Sequence, residues 1–152
     1  MERVTRITLI VLAVVGIALI ITGAVFASMV AKTYIQAPEA LWSGQVAGMY
    51  FEGIGLGALV GFALGLIGIM LALVGGLITK PRSLWFIFTI AGLVYLLPFI
   101  VISVFVTYKH HSYPERYPDS LNAWTLFFYL VYFLPGILAI IEGLMIRKPR
   151  FK

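Results

Sequence analysis

Between Glu52 and Lys80 the chain carries no charge for 27 residues, and eight of its 15 glycines fall inside that run. In water each interior glycine weakens a helix by about 1 kcal/mol relative to alanine, so a soluble helix of this composition would be poor. In a bilayer the backbone has no water to bond, and a single segment satisfies itself only as a helix. Gly53, Gly57, Gly61 and Gly65 form three overlapping G-x-x-x-G units, and Gly68, Ala72 and Gly76 continue the row at spacings of three or four. On a transmembrane helix such a row is a flat strip that lets a second backbone come close. Gly55 lies off the strip and is not explained by it.

The rest of the chain repeats the alternation of uncharged runs and short charged joints. Ile7 to Ala31 is uncharged for 25 residues, and about 20 apolar residues cross the hydrocarbon core. A secretory signal has an apolar region of about 7–15 residues, so this longer run reads as a retained span. Four spans follow from the pattern, at roughly 7–31, 52–78, 84–107 and 122–146. They leave outer loops at 32–51 and 108–121, a tight basic turn at 79–83 and a tail at 147–152. The fold class is all-α: a single transmembrane domain, four helices in an antiparallel bundle. An apolar fraction of 62% against about 45–50% in soluble domains supports it.

The net charge of +5 does not mark a nucleic-acid binder, because the basic residues flank apolar runs and form no basic face. They read as topology signals. With the N-terminus inside, Arg3, Arg6, Lys80, Arg82, Arg147, Lys148, Arg150 and Lys152 are internal, against Lys32, Lys109 and Arg116 outside. The positive-inside rule places both termini in the cytoplasm, with the cell membrane as location. The absence of cysteine removes disulfides and thiolate chemistry.

On the first helix, Ala13, Gly16, Ile20, Gly23 and Ala27 share one narrow face, the natural partner for the glycine strip. Intramolecular packing is therefore the favoured use of Gly16, Gly23 and the strip, with an oligomer interface as the rival. In the first loop, Pro38-Glu39 suits a helix start, giving a short surface helix or an outward extension of the second span. Trp42, Tyr50 and Phe51 belong at headgroup level. The third and fourth spans share a segment, LVYLLPFI at 93–100 and LVYFLPGI at 130–137, identical at six of eight positions. An inverted repeat and chance likeness both account for it. Each proline, Pro98 and Pro135, removes one helical hydrogen bond and predicts a kink.

Few side chains carry chemistry. Glu142 is an acid within a span, and such residues are costly and often functional. Snorkelling toward Arg147 or the Lys80–Arg82 turn is its expected resolution, with proton or cation handling as the alternative. Tyr95 and Tyr132 are mid-membrane hydroxyls beside the prolines, suited to bonding carbonyls that the prolines free, or to lining a path. Glu52 suits a helix N-terminus. His111, Glu115 and Asp119 have helical spacing, but Pro114 and Pro118 spoil the helix, and no metal site is expected. No histidine lies within a span to ligate haem, and no nucleophile, phosphate or zinc motif is present. No cofactor is expected.

The expected function is thus non-catalytic: a small integral membrane protein acting as a structural or assembly subunit of a larger membrane complex. Its partners would be the lipid bilayer and other integral subunits or copies of itself, with no nucleic acid. A transporter or channel component acting as an oligomer is the alternative, and an integral enzyme acting on lipid the next.

Overall fold

The structure, a computed structural model, describes residues 2–36, 47–112 and 123–148, and within them the side chains of 2–36, 56–105, 107–108 and 130–148. It is all-helical. Helix α1 is Arg3–Gln36, α2 is Ala47–Thr79, α3 is Trp85–Ser112 and α4 is Ala123–Arg147, with a 3-10 turn at Arg82–Leu84 before α3. All four are long and apolar enough to cross a membrane.

The helices are longer than the spans read from charge alone. At 1.5 Å per residue, the 34 residues of α1 extend about 51 Å, well beyond a hydrocarbon core of about 30 Å. Helix propagation does not stop at the membrane edge, so α1 runs past Ala31 to Gln36. Likewise α2 begins at Ala47, ahead of the charge at Glu52. Residues 47–51 therefore belong to α2 itself. The readings on Pro38, Trp42 and the Pro114–Pro118 loop fall outside the described residues. So do the side chains of Tyr50, Phe51, Glu52, Gly53, His110 and His111.

Both prolines lie inside their helices, and α3 and α4 continue through Pro98 and Pro135. Helix α2 ends in the left-handed region at Lys80, φ 46, whose N–H donates to the Gly76 carbonyl at 2.8 Å. Pro81 cannot continue a helix, and the chain turns within a few residues into α3. The Leu84 N–H closes that turn on the Pro81 carbonyl at 2.8 Å.

Helix α1 lies mainly against α2, and α3 mainly against α4; the ring is completed by α1 with α3 and α2 with α4. The spatial order is therefore α1, α2, α4, α3, and the diagonals α1/α4 and α2/α3 barely meet through their backbones. The five small-face residues of α1 are all buried. Outward faces are apolar too, as in Ile7, Val11, Val25, Met70, Val74 and Leu93, which is what a lipid-surrounded bundle needs.

Glycine sets the α1–α2 spacing. A side chain at Gly68 would meet the Gly16 carbonyl oxygen at 2.5 Å, and one at Gly61 would meet the Gly23 carbonyl oxygen at 2.7 Å. Further along, Gly57 faces Val30, and Gly75 faces Leu9 and Ala13. At Gly61, Gly68 and Gly75 backbone meets backbone, the approach at which Cα–H groups contact carbonyls across helices, whereas Gly57 meets only the Val30 side chain. The α3–α4 seam uses Gly92, with the Gly136 carbonyl 2.6 Å from where its Cβ would stand, and Gly143, against Trp85 and Thr89.

Candidate functional site

The glycine row of α2 divides between two neighbours. At about 100° per residue, Gly57, Gly61, Gly68 and Gly75 cluster within about 40° and meet α1. Gly65 and Gly76 are turned further round, toward the bundle centre. Each leaves a recess there that a side chain from the opposite helices occupies.

Tyr95 of α3 fills the first recess. Its ring lies over Gly65 and is fully buried, 0% exposed. A Cβ at Gly136 on α4 would stand 2.9 Å from the ring, so glycine is needed on both sides of it. The Tyr95 hydroxyl donates to the Tyr132 backbone carbonyl at 3.2 Å. That carbonyl is one residue beyond Val131, whose own oxygen loses its helical donor to Pro135. Around this bond the rings of Tyr95 and Phe99 lie 4.7 Å apart, Phe99 and Tyr132 stack at 5.7 Å, and Phe62 meets Tyr132 edge-on at 5.0 Å. Three helices thus contribute to one aromatic layer, in the geometries that aromatic pairs favour.

Glu142 of α4 fills the second recess, beside Gly76 and Phe88. It does not snorkel. It is 1% exposed, and neither carboxyl oxygen has a hydrogen-bond partner among the described residues. The reason lies in the packing: the face of α4 that carries Glu142 is turned to α2, and Gly76 leaves room where a side chain would have pushed the carboxyl outward. Its expected partner is engaged elsewhere, for the Arg147 guanidinium sits 4.8 Å from the centre of the Trp85 ring, a cation–π contact.

The structure therefore brings Tyr95 and Tyr132 together and leaves Glu142 apart. Ten residues of α4 separate Tyr132 from Glu142, about 15 Å along the axis. Hydroxyls nearby are committed to their own helices. Thr79 donates to the Gly75 carbonyl at 2.6 Å, Thr89 to Trp85 at 3.1 Å and Ser103 to Phe99 at 2.7 Å. No group of three metal-ligating side chains occurs among the described residues. A cavity of about 480 Å³ lies between α1 and α3, lined by none of these three residues.

Gly75, Gly92, Gly136 and Gly143 have a close-approach role that spacing in α2 alone does not reveal. A weak signal exists: Gly136, Ala139 and Gly143 fall on one side of α4, and Ala91-Gly92 is the one small pair in α3. Comparison with protein-family models, curated proteins and solved structures yields no significant match.

Proposed function

We infer that this chain is a non-catalytic subunit of a larger membrane assembly, structural or assembly-promoting in role. The observation that carries this reading is the fate of its intramembrane polar groups. Tyr95 is tied to a backbone carbonyl, the Ser and Thr hydroxyls named above are bonded back to their own helices, and Glu142 is sealed beside Gly76. A catalyst or a conduction path needs polar groups that converge on open space. Purification in mild detergent followed by mass spectrometry tests it. Larger integral proteins should co-purify in fixed ratio; a homogeneous preparation of this chain alone counts against it.

The proposed topology is an antiparallel bundle in the cell membrane with both termini cytoplasmic. Residue pairings support the first part: Leu9, Gly16, Gly23 and Val30 of α1 meet Gly75, Gly68, Gly61 and Gly57 of α2 in descending order. The second rests on the charge bias, since the turn at Lys80–Arg82 adjoins the Trp85–Arg147 contact. Single cysteines at Ser83 and Ser112 should be labelled from the inside and the outside respectively; the opposite pattern refutes this orientation.

A transport role keeps one observation in its favour, the unpartnered Glu142 carboxyl, because such groups mark ion paths in membranes. Proton or sodium flux into proteoliposomes that Glu142→Gln abolishes would displace the structural reading.

A further inference from the structure

The cavity between α1 and α3 has a depth and a chemistry that point to an occupant. Lys32 lies 26 residue steps beyond Arg6 on one continuous helix, about 39 Å, which matches a bilayer of about 40–45 Å including headgroups. Arg6 and Lys32 therefore stand at opposite headgroup levels. Trp85 lies at the Arg6 end, since Gly75 of α2 packs on Leu9 and the short turn leads directly into α3. The α3 wall of the cavity runs from Val94 to Val101, about 14 to 24 Å from Trp85 along the helix. The groove thus reaches from the bilayer midplane to the headgroup level of Lys32. It spans one leaflet, the depth of a lipid acyl chain.

Its walls are mostly apolar, formed by Ile35, Val94, Leu97 and Pro98 among others, with Lys32 and Gln36 toward one end and Ser28, bonded to its own helix, toward the other. Lys32 is exposed, and the acids with described side chains are Glu2, at the opposite end of α1, and Glu142, buried beside α2. No carboxylate among the described side chains neutralises it. A basic headgroup-level residue attracts anionic lipid, and 480 Å³ falls within the range of ordinary ligand sites.

We propose that this groove is a binding site for one anionic glycerophospholipid, with an acyl chain between α1 and α3 and its phosphate on Lys32. The full-length protein, placed in nanodiscs of equimolar dioleoyl-phosphatidylglycerol and dioleoyl-phosphatidylcholine, is released and read by native mass spectrometry. The wild type should retain one phosphatidylglycerol in preference to phosphatidylcholine. Lys32→Ala should lower that preference about five-fold, the factor expected from one basic group at the membrane surface. Leu97→Trp, at a position 62% exposed and so free of tight packing, should fill the groove and remove retained lipid of both headgroups. Equal retention of the two lipids by the wild type overturns the proposal, as does wild-type retention in the Leu97→Trp variant. A lipid-free wild-type dimer that Leu97→Trp converts to monomer overturns it in favour of a second copy of the chain. Lys32→Ala changes only an exposed side chain, so the headgroup test stands even if the tryptophan variant fails to fold.

Discussion

Replacing Gly68 with alanine tests the central contact of the bundle. The new Cβ would stand 2.5 Å from the Gly16 carbonyl oxygen and 2.9 Å from both the backbone nitrogen and the Cγ1 of Ile20. Carbon and carbonyl oxygen settle at about 3.3–3.6 Å even in the closest helix–helix contacts, so α1 and α2 must part locally by about 1 Å. A gap of that size forfeits about a quarter to a half of the dispersion energy of each contact it opens. Overpacking of this kind costs about 1–3 kcal/mol. Alanine returns up to about 1 kcal/mol through helix propensity, so the net loss spans about 0–3 kcal/mol and centres near 1–2 kcal/mol. Gly57→Ala supplies the control, because its Cβ would meet a single side-chain methyl, Val30 Cγ2, at 2.7 Å and no backbone. It should stay within about 1 kcal/mol of wild type, since a side-chain methyl can turn aside where a backbone carbonyl cannot. Reversible unfolding in mixed dodecyl maltoside–SDS micelles, followed by circular dichroism, measures both. If Gly68→Ala is as stable as wild type, or Gly57→Ala is the more damaging, the backbone contact is not the one described. If Gly68→Ala spares the isolated chain and dissolves a larger assembly, the glycine row serves another chain.

Other substitutions address the remaining features. Glu142→Met removes a buried carboxyl with no partner and should stabilise the bundle by about 1–3 kcal/mol, the usual penalty for an unsatisfied buried group; a loss in the same unfolding assay would reveal a partner for the carboxyl. Tyr95→Phe should cost about 0.6 kcal/mol, the average of interhelical side-chain bonds in membranes, while Tyr95→Ala should cost about 3–5 kcal/mol through the cavity left between Gly65 and Gly136. Equal effects of the two would mean that the ring contributes nothing by packing. Lys80→Gly relieves the left-handed backbone at φ 46 and should raise stability by about 1 kcal/mol; a fall in the denaturation midpoint would show that the lysine side chain holds the turn.

Part of this architecture depends on quantities local to each segment. An uncharged run long enough to cross the hydrocarbon must form a helix there, so four helices can be read from the positions of seventeen charges. The small face of α1 is equally legible, because Ala13, Gly16, Ile20, Gly23 and Ala27 recur at helical spacing on an otherwise bulky helix. The division of the α2 row is not legible. Spacings of three and four drift around the axis, and a glycine lacks a side chain toward any partner equally, so nothing in the row itself separates Gly68, which faces α1, from Gly65 and Gly76, which face Tyr95 and Glu142.

Glu142 is the clearest instance. Four residues from the end of its span, it has water and Arg147 within apparent reach, and local reasoning turns it outward. Two contacts distant in sequence decide otherwise: Gly76 opens a recess on the inner side, and Trp85 occupies the guanidinium of Arg147. Sequence alone determined that four segments are long and apolar enough to cross a membrane as helices, because the bilayer acts on each segment independently. Only the tertiary structure decided which helices are neighbours, where the glycine row divides and that the carboxyl lies inside, because each of these depends on atoms from two or three helices at once.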